Sequence, residues 1–269
     1  MHPPGDPPAS TRQLALGGAT DIGKTRERNE DSYLVLPDFR LMVVADGIGG
    51  HRSGMLASQL AVSTLHDFFV ITVRPDATWP FPYDERLSDE ENYLSTGVRL
   101  ANRRIFDRSL KTLTDFGMGT TCVGAMFDAS LEHVVVAHVG DSRAYRVRGD
   151  TITQLTRDHS LVSDALEVAP WITTEEIAQL PANVVTRALG IREEVEVDLR
   201  AHDVEVGDVY IVCSDGLSSQ VSDARILEVV ARGLASNGDD VERVGKELLK
   251  LARDAGGADN ATVCLAVVR

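Results

Sequence analysis

Four apolar, β-branched segments follow one another between residues 121 and 155, with only a few residues between them. Connections this short join antiparallel strands, because a parallel pair needs a crossover of a dozen or more residues. The sequence therefore predicts antiparallel sheets and argues against a doubly wound parallel fold. The segments are TCVGAMFD (121–128), EHVVVAHV (132–139), RAYRVR (143–148) and TITQL (151–155).

Helical patterns lie on both sides of this meander and come in pairs, which makes the chain α+β. A flexible lead-in over residues 1–12 and one domain over 13–269 are expected, with a proline-rich loop at 72–92. Ser88 and Glu91 form a capping box that should start a helix. The other predicted helices lie near residues 53–69, 173–180, 223–235 and 240–254, and the other predicted strands at 32–36, 41–45, 208–214 and 261–268.

Composition and charge indicate which classes of partner and which cellular setting to expect. The formal net charge is −14, and no basic cluster beyond short pairs is present, so a nucleic-acid partner is not expected. No apolar run reaches about 18 residues, so no membrane span is expected. The three cysteines are odd in number and lie in apolar stretches, which predicts buried free thiols and a reducing, cytoplasmic setting. They are Cys122, Cys213 and Cys264.

Acidic residues stand at the ends of several predicted strands. Each alone could be a turn residue or a cap. Because antiparallel neighbours reverse direction, however, these acids can share one sheet edge, where unpaired carboxylates would repel one another. Such a cluster needs cations, and carboxylate and carbonyl oxygens suit Mg²⁺ or Mn²⁺. The acids concerned are Glu30, Asp31, Asp46, Asp141, Asp215 and Asp259.

The stretch VVADGIGGH (43–51) places Asp46 at the end of an apolar run, before a turn that is mostly glycine. Asp46 could bridge two ions there, Gly47 could offer its carbonyl oxygen, and the bare backbone would leave room for a phosphate. Two divalent ions about 3.5–4 Å apart form a clamp that hydrolyses phosphate esters. A phosphate also favours an arginine, whose planar fork matches two oxygens. Arg26 and Arg28 are the nearest candidates.

Eight motifs occur in order along the chain: RERNEDSYLV, VVADGIGGHRSG, GMGTTCVGAMF, AHVGDSRAYRVR, LTRDHSLV, VTRALG, VYIVCSDGLSSQVSD and DNATVCLAVV. Together they resemble the metal-dependent serine/threonine protein phosphatases, the PPM or type 2C family, in its bacterial form. The resemblance runs from about residue 12 to the C-terminal end. It implies a four-layer αββα sandwich, with two central antiparallel sheets flanked by pairs of helices and a metal site at one end.

The resemblance also implies a centre of two core metal ions, Mn²⁺ or Mg²⁺. Asp46 matches the carboxylate that bridges them, and Gly47 supplies a backbone carbonyl. Asp215 of the SDG motif and Asp259 of the DN motif match ligands of the second core metal.

Four further residues match a role around this pair of ions. Glu30 and Asp31 of the NED motif match acids that hold metal-bound waters. Asp141 of the GDSR motif matches a ligand of a third, weaker metal reported in bacterial members. Arg26 matches the arginine that binds the substrate phosphate.

The segment between Asp158 and Arg187 matches the mobile flap beside the site, which helps to choose protein substrates. One departure concerns the proton donor. Animal members often carry a histidine two residues after the bridging aspartate, but here that position is Ile48, and His51 is three residues further on. A metal-bound water could serve instead. His51 and His159 are interpreted as structural.

The implied function is hydrolysis of phosphoserine and phosphothreonine in proteins, by a monomer that opposes a Ser/Thr kinase. A non-catalytic, phosphatase-like regulatory module is an alternative, although such modules usually lose metal ligands and none is lost here. A two-metal phosphodiesterase or nuclease is a third possibility. The negative charge and the lack of a basic groove disfavour it.

Overall fold

The structure is a computed structural model that describes residues 12–49, 52–72, 78–181, 183–237 and 240–269. Within these ranges the chain forms eleven strands and seven α-helices. The strands are β1 (Leu14–Asp21), β2 (Asp31–Leu36), β3 (Leu41–Ile48), β4 (Gly119–Thr120), β5 (Cys122–Phe127), β6 (His133–Val139), β7 (Arg143–Arg148), β8 (Thr151–Gln154), β9 (Asp198–Asp203), β10 (Val209–Cys213) and β11 (Ala261–Val268). The helices are α1 (Arg52–Thr72), α2 (Asp89–Ser109), α3 (Leu161–Val168), α4 (Thr174–Ile177), α5 (Asp215–Ser218), α6 (Asp223–Asn237) and α7 (Val241–Ala255).

The strands form two sheets. One has the order β1-β11-β10-β7-β8, and the other has the order β2-β3-β5-β6-β9, with the short β4 paired to β3. Every strand pair among the described residues is antiparallel. The predicted α+β class with two antiparallel sheets is confirmed.

The core has three layers of side chains between four layers of backbone. On β3, Leu41, Val43 and Ala45 pack against α1 and α2, whereas Met42 and Val44 face the other sheet. Helices α6 and α7 cover the outer face of that other sheet. Central strands are therefore buried on both faces, which is why they read as continuous apolar runs. This is the predicted αββα sandwich.

The predicted meander is divided between the two sheets. β5 pairs with β6 and β7 pairs with β8, but β6 and β7 belong to different sheets. The expectation that each short connection joins neighbouring strands is wrong here. Packed sheets lie about 10 Å apart, and a three-residue link can reach ~13 Å when extended. The link 140–142 makes this crossing, and its Gly140 has a φ of +110°.

Other local predictions are confirmed. The Ser88–Glu91 capping box starts α2, with the Glu91 amide donating to Ser88 Oγ at 3.2 Å and the Ser88 amide donating to Glu91 Oε2 at 2.8 Å. Helix α7 (Val241–Ala255) matches the helix predicted near residues 240–254. All three cysteines are buried free thiols.

Helix α1 is apolar enough to merit attention. By length and composition alone, its segment Ser53–Thr72 could cross a membrane. In the sandwich, however, its Ala57, Ala61 and Leu65 side chains are fully buried in the layer shared with β3 and α2. This is the environment of a core helix.

The N-terminal boundary is only partly visible. Residues 1–11 of the predicted lead-in and residues 73–77 of the proline-rich loop lie outside the described residues. The Arg12 guanidinium donates to the carbonyl oxygen of Leu131 at 2.6 Å, so the described chain begins with a residue in contact with the sandwich. The division into a lead-in over 1–12 and one domain over 13–269 stays a prediction.

Candidate metal centre

A cleft of about 260 Å³ opens at one end of the sandwich. Seven of the eight predicted site residues line it, and the eighth, Asp31, is buried and lies opposite Asp46 in the β2–β3 register. The sequence-based grouping of these residues is therefore matched by their positions. The seven lining residues are Arg26, Glu30, Asp46, Gly47, Asp141, Asp215 and Asp259.

The topology explains this convergence, because the acids sit where strands end or begin. Asp46 lies near the end of β3, and Asp141 lies in the crossing from β6 to β7. Asp215 opens α5 just after β10, and Asp259 lies two residues before β11. Strands β10 and β11 are antiparallel neighbours, so the end of one meets the start of the other at the cleft.

Two glycines allow the backbones to approach closely. A Cβ at Gly216 would lie 1.9 Å from the carbonyl oxygen of Asn260, so glycine lets α5 pack against the residue after Asp259. A Cβ at Gly47 would lie 2.3 Å from the carbonyl oxygen of Gly54, so glycine lets the end of β3 meet the start of α1. A side chain at either position would push the acids apart.

Asn260 holds the loop that carries Arg26 and Glu30, and it was not among the predicted site residues. Its Nδ2 donates to the carbonyl oxygens of Ile22 at 2.9 Å and Arg28 at 3.0 Å, and its Oδ1 accepts from the Glu30 amide at 2.8 Å. The signal that could have pointed to it is an asparagine beside an acid just before a buried strand.

Thr121 fixes the backbone of Asp46 and was also missed. The Asp46 amide donates to Thr121 Oγ1 at 3.0 Å, and the Thr121 amide donates to the Asp46 carbonyl oxygen at 2.8 Å. Thr120 Oγ1 donates to the same carbonyl oxygen at 2.8 Å. The GTT motif therefore positions the central aspartate.

Asp31 is the most deeply buried acid of the group. Its Oδ2 accepts hydrogen bonds from Ser214 Oγ at 2.8 Å and Thr262 Oγ1 at 2.7 Å, while its Oδ1 has no donor among the described residues. Burial outweighs these two hydrogen bonds and, with repulsion from Asp215 and Asp259, raises the pKa of Asp31 to about 6.

The other acids are crowded in the same way. Burial and repulsion from Asp31, Asp215 and Asp141 raise the pKa of Asp46 well above its ordinary value. Burial and Asp259 raise the pKa of Asp215, and burial and Asp215 raise the pKa of Asp141 to about 6. Carboxylates that resist ionisation together are the donor set that hard divalent cations neutralise. The residues present therefore fit a Mn²⁺ or Mg²⁺ centre.

Arg26 lies at the rim of the cleft and is half exposed. Its Nη2 donates to Asp259 Oδ2 at 2.7 Å, so it pairs with one of the predicted metal ligands. Arg28 is exposed and is not among the residues that line the cleft. Ile48 does line it, whereas His51 lies outside the described residues. Nothing here assigns His51 a role.

The predicted flap, residues 158–187, carries α3 and α4, neither of which has a buried residue. Its returning segment supplies Asn183 and Val185 to the cleft wall, two contributions that the sequence did not predict. Helix α4 (Thr174–Ile177) lies within the helix predicted near residues 173–180 but is shorter than expected.

Comparison with known proteins agrees with this site. Residues 23–252 match the family model of protein phosphatase 2C. The chain is 35% identical over 252 residues to a protein named serine/threonine phosphatase stp from Listeria innocua, and the match covers 91% of this chain and 92% of the relative.

Solved structures show the same architecture. The catalytic domain of the serine/threonine protein phosphatase PstP, in complex with two manganese ions, is 34% identical with a TM-score of 0.78, covering 96% of this chain and 99% of that one. The serine/threonine phosphatase Stp1 from Staphylococcus aureus is 31% identical with a TM-score of 0.79, covering 95% of each chain. Sequence, fold and cleft together establish that the chain belongs to the bacterial serine/threonine phosphatases of the protein phosphatase 2C family.

Proposed function

We propose that this phosphatase hydrolyses phosphoserine and phosphothreonine in proteins at a centre of two divalent cations, Mn²⁺ or Mg²⁺, with a third, weaker ion beside them. The observation that carries the proposal is the cleft itself, where, among the residues that the structure describes, five carboxylates and one arginine face a space of about 260 Å³. A binuclear centre in the structure of PstP, a relative of similar fold, supports the same metal chemistry.

We assign the two core ions to four donors. Asp46 would bridge the ions, and the Gly47 carbonyl oxygen would add a donor beside it. Asp215 and Asp259 would bind the second ion, since both lie at adjacent strand ends. When bound, the ions would lower the pKa of a water and neutralise charge on the phosphoryl oxygens.

The remaining acids act around this pair. Glu30 and Asp31 would hold waters of the coordination sphere, and the buried Oδ1 atom of Asp31, which has no hydrogen-bond partner among the described residues, would find one in such a water. Asp141, in the crossing from β6 to β7, would hold the third ion. Its raised pKa, caused by burial and by Asp215, reflects how much a cation would stabilise its charge.

Arg26 orients the substrate phosphate. A guanidinium has five N–H groups, so the one hydrogen bond to Asp259 leaves further donors for phosphoryl oxygens. Its rim position lets it meet the phosphate as the phosphopeptide enters. No histidine stands among the described residues that line the cleft, and we therefore assign protonation of the leaving serine or threonine oxygen to a water in the cleft.

We further propose that the protein works as a monomer in the cytoplasm and opposes a Ser/Thr kinase. The three buried thiols suit a reducing compartment. A phosphatase that acts on phosphoserine and phosphothreonine needs a kinase to produce its substrates, which is the basis for the kinase assignment. Comparing phosphopeptides from cells with and without the gene would identify those substrates.

The test uses purified protein with Mn²⁺. It should hydrolyse p-nitrophenyl phosphate and a phosphothreonine peptide, and both activities should disappear on chelation and in Asp215→Asn. Activity that survives both changes would refute the two-metal account. Calorimetry that detects no Mn²⁺ binding would favour the non-catalytic module, and release of nucleotides from single-stranded DNA would favour a nuclease.

A further inference from the structure

Asp141 sits in a short crossing whose two flanks are both held by the first residues of the flap. On one side, the Gly140 amide donates to His159 Nδ1 at 3.0 Å, and the His159 amide donates to the Gly140 carbonyl oxygen at 2.9 Å. On the other side, Arg143 Nε and Nη2 donate to the two Asp158 carboxylate oxygens at 2.9 and 2.7 Å. The crossing cannot move without the flap base.

His159 contacts side chains from both β6 and β9. Its ring stacks on that of His138, with centroids 4.6 Å apart and planes at 17°. Its Nε2 lies 3.3 Å from Asp198 Oδ2, and Arg187 donates to the other oxygen of Asp198. His138 Nε2 donates to the carbonyl oxygen of Arg157 at 2.7 Å. The two ends of the flap are therefore connected to β6 through His138 and to β9 through Asp198.

The protonation states suit this arrangement. Burial lowers the pKa of both imidazoles; the stacked His138 and then Arg187 lower that of His159 further, and Arg187 also lowers that of His138. Both rings are therefore neutral at pH 7. A neutral His159 that accepts at Nδ1 carries its proton on Nε2, which faces the Asp198 carboxylate.

Gly140 depends on this acceptor. Its φ of +110° is a conformation that other residues rarely adopt, and a Cβ there would lie 2.6 Å from Thr121 Cγ2. The residue is buried, so its amide would lose a hydrogen bond at full desolvation cost if His159 were removed. Asp141 follows directly, and its carboxylate direction depends on the Gly140 peptide plane.

We propose that His159, supported by His138 and Asp198, is a positioning residue that sets the Asp141 carboxylate and thereby the affinity of the third cation. The inference rests on the proposed function, because it takes Asp141 as that ion's ligand. It assigns a role to the RDHS motif that is separate from catalysis: the flap base and the third cation share one set of contacts.

A metal ion at the histidine pair is the competing explanation. His138, His159 and Asp198 offer ligand atoms within 4.8 Å of one another. The rings are nearly parallel, however, so their in-plane lone pairs cannot converge on one ion without rotation. Asp198 is also already paired with Arg187. The ring orientation and the Arg187–Asp198 pair therefore favour a positioning role over a metal site, and His159 Nε2 faces Asp198 at 3.3 Å without a hydrogen-bond partner among the described residues.

The first experiment compares two substitutions of His159 by Mn²⁺ calorimetry. In His159→Ala the weakest class of sites should bind about tenfold less tightly, as outer-shell changes typically do, while the tight class is unchanged. His159→Asn should keep near-native binding, because the asparagine oxygen can replace Nδ1 as the acceptor. His133→Ala, an exposed histidine on the same β6 strand, is the matched control. Equal loss in the Ala and Asn variants would overturn the inference.

The second experiment tests whether the effect passes through Asp141. In an Asp141→Asn background the weak class should be absent, and adding His159→Ala should change Mn²⁺ binding no further. An additional loss there would mean that His159 acts on the fold in general and would overturn the inference. Hydrogen exchange in metal-free protein gives a readout without the ion: the 138–143 segment should exchange faster in His159→Ala but not in His159→Asn.

The outcomes separate the two proposals. A wild-type enzyme that hydrolyses the phosphopeptide with only two Mn²⁺ bound would overturn the inference and the third ion of the proposed function, but it would leave the proposed hydrolysis at a two-ion centre intact. A protein that neither binds Mn²⁺ nor hydrolyses the peptide would overturn both. Zn²⁺ that raises the unfolding temperature of the wild type, but not of His138→Ala, would replace the inference with a metal site at the histidine pair.

Discussion

Strand β10 begins beside one aspartate and ends beside another, and the two have opposite environments. Asp208 is fully buried, yet hydrogen bonds from Arg148 at 2.7 and 2.6 Å and from the Glu205 amide at 2.9 Å outweigh burial and lower its pKa. At the other end, burial and Asp259 raise the pKa of Asp215. A buried carboxylate neutralised by its own arginine is structural, whereas several carboxylates gathered around too few arginines form a site for cations.

The neighbouring strand β7 carries an arginine at each end and makes the contrast sharper. Arg148 is used to neutralise Asp208, but Arg143, at the cleft end, is paired with Asp158 of the flap base. The protein therefore has a cation within reach of the cleft and directs it elsewhere. Among the described residues that line the cleft, five carboxylates stand beside one arginine, Arg26, so external cations would supply the missing charge.

The largest expected effect follows from removing the acid at the centre of the cleft. Asp46→Asn should lower kcat/KM for a phosphothreonine peptide by about 10³-fold, or ~4 kcal/mol, because one ligand serves both ions. The free energy of unfolding of the metal-free protein should stay level or rise, since one crowded charge is gone. Activity is measured with saturating Mn²⁺, and stability by urea denaturation with EDTA. A variant within tenfold of wild-type activity would contradict the view that the cleft acids serve catalysis while Asp208 serves stability.

Asp208, at the other end of β10, should show the reverse pattern: its substitution should lower stability and leave activity nearly unchanged. Asp208→Asn should lower the free energy of unfolding by about 2 kcal/mol at pH 7, because Arg148 loses a charged partner at a buried position. Its kcat/KM should stay within about twofold of wild type at temperatures where it is folded. Asp203→Asn is the control, since that side chain is 90% exposed and should cost under ~0.5 kcal/mol. Equal losses in the two variants would remove the distinction between the ends.

The same contrast shows which parts of the fold could be predicted. The buried central strands could be predicted because they are apolar runs. Strand β1 was missed because Gly17 and Gly18 resemble a loop. A Cβ at Gly18 would lie 2.7 Å from the Tyr33 ring, so the glycines serve close packing within a strand. Strand β9 was missed because it is an edge strand paired only with β6. Its DLRAHD sequence is polar, as edge strands often are.

The residues of the site also fall into those that could be predicted from the sequence and those that could not. The acids could be predicted because their chemistry and their places at strand ends are visible in one sequence. Asn260 and Thr121 could not, because they act through hydrogen bonds to backbone atoms that only the topology brings near. Asn260 reaches the carbonyl oxygen of Ile22, 238 positions away. The pairing of Arg26 with Asp259 is a further contact of this kind.

The two ends should also respond oppositely to acid. Asp31 and Asp141 have pKa values raised from 3.8 to about 6, so the folded metal-free protein binds more protons than the unfolded chain between these values. Its stability should therefore rise, by roughly 2 kcal/mol, as pH falls from 7 to about 5. Asp208 has a lowered pKa, so its contribution is present above 3.8 and is lost as pH falls further.

Urea denaturation across pH 4.5–7.5 with EDTA measures how the free energy of unfolding depends on the cleft carboxylates. With saturating Mn²⁺ the slope should reverse, because protons then compete with the bound cations. Asp31→Asn should flatten the rise in the metal-free protein. Stability that falls steadily with acid in EDTA would show that the cleft carboxylates are already neutralised by the chain itself.

The smallest expected effect concerns the one arginine at the cleft. The Arg26–Asp259 pair is 50% and 35% exposed, so Arg26→Ala should lower the free energy of unfolding of the metal-free protein by only about 0.5 kcal/mol, and less in salt. Arg148→Ala breaks a pair whose aspartate is fully buried and should cost several times more. Arg148 also pairs with Glu205 and donates to the Asp203 carbonyl oxygen, so the difference measures burial of the aspartate together with these added contacts. Equal costs would mean that Arg26 is a structural counter-ion, which would weaken its assignment to the substrate phosphate.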